Sequence, residues 1–263
     1  MEDRTLLTSF TVLNTNDSGT GSLREAIEAA NANAGADTIS FDAALAGQTI
    51  SYTEKLRILD DLSIVGLGAD QLTLQVNGGS DSSFSLFYVV DNDNDNYISV
   101  DISGLAFEGV GTGRAIYSSE RLTVTDCQFS ELYGLGNGAA ISAQRYLTVI
   151  GCSFLNNWTV GSGGAIYYSN TTIDSLLDYQ VIVSDSYFYE NEAANSGGAV
   201  YVGTIDIGAV RNDFPDLILS SSTFIRNVSS GSGGGLAVRN ARMNISDSIF
   251  ISNSAVSGGG GVS

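Results

Sequence analysis

The chain has 263 residues, with 29 Asp and Glu against 11 Lys and Arg, a formal charge of −18 and no His. An apolar share of 43% is too high for disorder and sufficient for a substantial core. The charge leaves little for phosphate-backbone binding, so nucleic acid is not an expected partner, and the lack of His excludes His-dependent triads and His-ligated zinc. Any catalysis must run on carboxylates, Arg, Lys or Tyr. No run of 18 apolar residues occurs, so no membrane span is expected in this fragment, and residues 1–13 lack the basic, apolar and small-residue succession of a secretory signal.

In chain order, the first feature is a capping box, Ser22-Leu23-Arg24-Glu25. Leu23, Ala26, Ile27 and Ala30 then follow i, i+3, i+4, i+7 spacing, which predicts a short amphipathic helix with one narrow apolar stripe. With an N-terminal strand before it, residues 1–37 are expected to cap whatever residues 38–263 build. Residues 37–58 and 62–90 carry weak versions of a pattern that becomes plain later. Between them and the clearer copies lies Asp91-Asn-Asp93-Asn-Asp95-Asn96, which has the alternating acids of a calcium loop. Asn96 stands where an EF-hand has Gly, and Ile102 where it has its bidentate Glu, so an EF-hand is excluded. Two readings stay open: Ca²⁺ held with carboxylates borrowed from neighbouring turns, or a solvated acidic loop. No other cofactor is expected.

From residue 100 the repeats are explicit. VDISGLAF, LTVTDCQF, LTVIGCSF, VIVSDSYF, LILSSSTF and MNISDSIF end on Phe107, Phe129, Phe154, Phe188, Phe224 and Phe250. Phe-x-x-Asn recurs at Asn157, Asn191, Asn227 and Asn253, and GAAI, GGAI, GGAV, GGGL and GGGV follow nine residues after the last five Phe. Positions 1, 3, 6 and 8 of each block are apolar or small, which is strand alternation broken by a corner. Units of about 25 residues cannot bury an apolar face alone, but stacked copies can. The expected fold is therefore all-β: a right-handed parallel β-helix of about eight turns, its strands ~4.8 Å apart, with a short N-terminal capping α-helix. A single Pro agrees, since each N–H serves a neighbouring turn.

Stacking turns sequence columns into spatial ones. Asn157, Asn191, Asn227 and Asn253 read as a structural ladder at a left-handed corner. Cys127 and Cys152 share an inward slot that Ser186, Ser222 and Ser248 continue, which favours buried free thiols over an awkward disulfide. Long insertions at 169–180 and 203–216 meet at one corner, where Ile173, Leu176, Leu177, Tyr179, Ile205, Ile207 and Phe214 would form an apolar cluster. Arg121, Arg145, Arg211, Arg239 and Arg242 belong to the same corner, as a binding edge or as partners of nearby acids. For catalysis the only candidates are Asp126, Asp185 and Asp247, one corner column recurring every second turn at ~9.6 Å, without a close pair or a basic partner.

Ser22 to Ala26 reads SLREA, and residues 10–42 resemble the N-terminal region of bacterial secreted right-handed β-helix proteins that carry this motif. The Phe-x-x-Asn and GGA-aliphatic repeats resemble those of the chlamydial polymorphic membrane proteins and related autotransporter passengers. The resemblance implies an extracellular or outer-membrane surface protein, often adhesive, with further repeats and an anchor or export domain beyond residue 263. The chain stops at GGGGVS partway through a repeat, which reads as truncation. The expectation is thus a non-catalytic stalk or passenger that contacts an extracellular protein or glycan. A polysaccharide lyase or hydrolase is the second reading, and a fibre assembled head to tail is the third.

Overall fold

In the 122–129 block, alternation sends Leu122, Val124, Cys127 and Phe129 inward and leaves Thr123, Thr125 and Gln128 on the outside. The computed structural model describes residues 8–78, 81, 83–91, 97–170, 180–204 and 216–263, and it arranges the copies as successive coils of a parallel β-helix. A representative coil runs through Arg121–Thr125 in a first sheet, Gln128–Ser130 in a second, Tyr133–Gly134 in a third and Ile141–Ala143 in a fourth. Leu147–Ile150 then returns to the first sheet. Among the described residues these sheets have nine, eight, five and seven strands. The first sheet comprises the N-terminal strand Ser9–Val12 and eight coil starts, from Asp37–Phe41 to Arg242–Ser246, which agrees with the turn count expected.

Register makes each sequence column a spatial one. Val100, Leu122, Leu147, Val181 and Leu217 are successive partners across the first sheet. Behind them Phe107, Phe129, Phe154, Phe188, Phe224 and Phe250 stack with centroids 4.4 to 4.9 Å apart. Identical side chains repeat at the strand spacing, so rings pack face to face where the backbone already holds them.

The corners use left-handed backbone in three columns. Gly104, Asp126, Gly151, Asp185, Ser221 and Asp247 have φ between 48° and 64° where the first sheet gives way to the second. Glu131, Asn156, Glu190, Arg226 and Ser252 do the same at the next corner, with φ of 53° to 56°. This corrects the expectation for the Asn column: each left-handed residue immediately precedes the Asn position and is not the Asn itself. The GGA steps supply the third column. Gly163 has φ +69°, and a Cβ on Gly164 would lie 2.0 Å from the Gly198 carbonyl oxygen of the next coil.

The helix spans Leu23–Ala32 and buries Leu23, Ala26, Ile27 and Ala30, as the stripe predicts. It packs on Ser9–Val12, Asp37–Phe41 and Leu56–Ile58 and so covers the first coil. The Ser22 hydroxyl accepts from the Glu25 N–H, while the Glu25 carboxylate takes the Gly21 N–H and not that of Ser22. Arg24 ties the helix to the coil by donating to the Glu54 and Lys55 carbonyls.

Candidate binding site at one corner of the coil

The polar columns inside the coil are used up by structure. Asn191 Oδ1 accepts from both the backbone N–H and the amide of Asn157, at 3.1 and 2.9 Å. Its own amide donates to the Phe154 carbonyl at 3.0 Å and to Asn227 Oδ1 at 2.9 Å. Asn227 repeats this with Asn253 and the Phe188 carbonyl. An Asn side chain has two donors and two acceptor sites, and here all four are filled in a fully buried setting. The Cys and Ser slot behaves alike: Cys127 N–H donates to Cys152 Sγ, Cys152 N–H to Ser186 Oγ, and Ser186 N–H to Ser222 Oγ. Both thiols are free and buried. The neighbouring Cys127 sulfur and burial push the Cys152 thiol far above its ordinary pKa, so it remains protonated.

Asp126, Asp185 and Asp247 share one corner, as expected, and their positive φ gives that column a backbone role. Gly104, Gly151 and Ser221 alternate with them.

The corner between the fourth and first sheets is different. Arg121 opens a first-sheet strand, Arg145 sits in the bend before Leu147, Arg239 ends a fourth-sheet strand and Arg242 opens the last first-sheet strand. The four share one edge, yet not as one exposed row. Arg145 is buried, with its guanidinium carbon 3.7 Å from the Tyr97 ring centroid, whereas Arg121, Arg239 and Arg242 are exposed. Beside Arg145 lies Glu120, 3% exposed, with Oε1 accepting from the Ser119 hydroxyl at 2.8 Å and Oε2 without a hydrogen-bond partner. Burial raises the Glu120 pKa, and the Asp91 charge adds to this while hydrogen bonds from Ser119 and the Asp91 backbone and the Arg145 charge oppose it. Asp91 is thus within electrostatic reach of Glu120, while Asp93 and Asp95 lie outside the described residues. Among the described residues no group of three acidic or sulfur side chains forms a metal cluster. Ile173, Leu176, Leu177, Tyr179, Ile205, Ile207, Arg211 and Phe214 also lie outside them.

One coil face away, Arg121 lines an open pocket of about 450 Å³ with Ser99, Asp101, Thr123, Tyr146 and Thr148. Its guanidinium carbon rests 5.1 Å from the Tyr146 ring centroid. Asp101 pairs in register with Thr123 and points outward, exposed. Alternation within VDISGLAF predicts that outward position, but nothing in the sequence marks Asp101 as close to Arg121. Tyr146, Tyr97 and Glu120 were missed for a related reason: they sit in the bends between strands, where the repeat is least regular. Outward tyrosines also stack, Tyr88 on Tyr117 and Tyr167 on Tyr201, each pair at 5.2 Å.

Comparison with known proteins adds to this geometry. Among solved structures, the A-module of the Azotobacter vinelandii mannuronan C-5 epimerase AlgE4 superposes with a TM-score of 0.52 at 14% identity, over 95% of this chain and 71% of that one. At that identity the likeness concerns the fold alone. Geobacillus virus E2 ORF18 is also similar, at 14% identity over 93% of this chain and 60% of that one, with a TM-score of 0.36. No curated protein matches in sequence. Residues 151–169 and 185–203, which hold Phe154 with Asn157 and Phe188 with Asn191, each match the Chlamydia polymorphic membrane protein repeat. The chain is therefore a parallel β-helix that carries repeats of the Chlamydia polymorphic membrane protein type.

Proposed function

We propose that this chain is a non-catalytic cell-surface or secreted β-helix that mediates adhesion, meeting an extracellular protein or glycan along its lateral faces. The observation that carries the reading is the division of its polar chemistry. Inside, the Asn and Ser columns satisfy one another from coil to coil, so they serve cohesion. Outside, Asp101 and Arg121 line an open pocket on a fixed sheet, where their charges are accessible to a partner. The polymorphic membrane protein repeats support the surface location. The enzyme reading would have to rest on Asp126, Asp185 and Asp247, whose spacing and backbone fit corners better than proton transfer.

Printed arrays of extracellular proteins and glycans test this. The wild-type chain should bind members of the array and leave glycan lengths unchanged. Depolymerisation that disappears in Asp126→Asn or Asp185→Asn would replace adhesion by enzymology, and concentration-dependent filaments without array binding would replace it by assembly.

A further inference from the structure

We propose that the pocket around Asp101, Arg121 and Tyr146 is a binding site for a neutral pyranose unit of a glycan. The inference rests on the surface-interaction reading above and gives it a ligand class.

Two opposite charges in this pocket do not meet. Asp101 lies one coil before Arg121 and two residues further along the strand, since its register partner is Thr123. Strand spacing and rise put the two Cα atoms roughly 8 Å apart, a distance that their side chains could close. They do not. Arg121 turns toward the following coil and stacks on Tyr146, leaving Asp101 behind it. Among the described residues neither side chain has an ion-pair or hydrogen-bond partner, although both are exposed on the same outer face. Between and beyond them stand the hydroxyls of Ser99, Thr123 and Thr148.

That set reads as a recognition surface for a ring with several hydroxyls. A carboxylate only accepts hydrogen bonds and a guanidinium only donates them, while the hydroxyls between do both. Hydroxyls on different edges of a sugar ring give to the first and take from the second, and Tyr146 offers an apolar face beside them. The volume of about 450 Å³ lies within the range of small-ligand pockets, and the flat strands beneath fix the geometry. Charge selects among glycans. The pocket contributes one charge of each sign, but the whole chain carries −18, which repels a polyanion approaching along the rod. A neutral glycan escapes that penalty.

Calorimetric titration of the full chain with cellotetraose, mannotetraose and galactotetraose, and with tetragalacturonate as the anionic counterpart, tests the site. At least one neutral tetrasaccharide should bind with Kd ~1 mM or tighter. Asp101→Asn and Arg121→Ala should each weaken it tenfold or more, and Glu28→Gln on the exposed side of the capping helix should not. Both pocket residues are exposed, so melting curves should match wild type; if Arg121→Ala does not fold, Asp101→Asn, which keeps the shape of the side chain, decides alone. Preference for tetragalacturonate, equal binding by wild type and Asp101→Asn, or no tetrasaccharide binding at all would overturn the proposal. In each case array binding that survives both substitutions keeps the adhesion reading, whereas loss of all array binding by wild type would end both.

Discussion

At the scale of single residues, the Asn and Ser columns are buried polar groups that the next coil completes, and Glu120 is among the buried residues that are not completed in this way. Its Oε2 has no hydrogen-bond partner among the described residues, and burial holds its pKa above the ordinary value. A carboxyl with a raised folded pKa binds its proton more tightly folded than unfolded. Its contribution is therefore fully present below the unfolded pKa and is lost as pH rises through the folded one. Glu120→Gln removes that titration. The melting temperature of Glu120→Gln minus that of wild type should be more positive at pH 7 than at pH 4; a difference that stays flat or falls would mean that Arg145 and Ser119 compensate the ionised carboxylate completely. None of this was readable beforehand. Glu120 occupies a bend, and its burial follows from how Tyr97 and Arg145 close over that bend, which no column of the repeat encodes. The Asn and Cys columns were readable because their partners are copies of themselves one repeat away.

At the scale of elements, the strands follow directly from alternation, and the helix from its capping box and stripe. The corners were legible only in part. Where Gly104, Gly151 and Asp alternate, the sequence advertises left-handed backbone, since these types adopt it at least cost. Where Glu131, Glu190 and Arg226 do the same work it does not, because such residues enter that region only when neighbouring structure holds them there. Glu190 and Arg226 directly precede Asn191 and Asn227, whose amide hydrogen bonds supply that hold one residue later, and after Glu131 the Leu132 N–H donates to Asn157 Oδ1. The Asp corner gives a direct test of the turn role. Asp185→Gly should leave stability unchanged or raise it slightly, whereas Asp185→Ala should cost about 1 kcal/mol in urea unfolding, because Ala lacks both the freedom of Gly and the local hydrogen bonds of Asp. Equal effects from the two would show that side-chain contacts, and not backbone conformation, hold Asp185 in place.

At the scale of the whole molecule, a stack of coils joined only to their neighbours behaves as a one-dimensional chain of interfaces. The Phe stack and the Asn ladder run through successive interfaces, so each adds a side-chain contact to the strand pairing that already joins neighbouring coils. Asn191 lies in the middle of this array. Replacing it by Ala removes the acceptor of the Asn157 N–H and amide, and the donors to the Phe154 carbonyl and Asn227 Oδ1. Each buried group left unpaired costs ~1–3 kcal/mol, while the Asn191 backbone N–H still reaches Asn227 Oδ1 at 2.9 Å. Cohesion is thus lost mainly at the junction with the coil of Phe154 and Asn157, to which three of these four bonds run, and not in the hydrophobic core elsewhere. Wild type should unfold as one cooperative unit in urea, and Asn191→Ala in two steps, with amide exchange accelerated first on one side of residue 191. Asn253→Ala should not split the transition, because Asn253 lies in the last coil and has only coils before it to separate. A single transition in Asn191→Ala, shifted but equally steep, would mean that strand pairing alone carries cooperativity along the rod and that the ladder serves only its own corner.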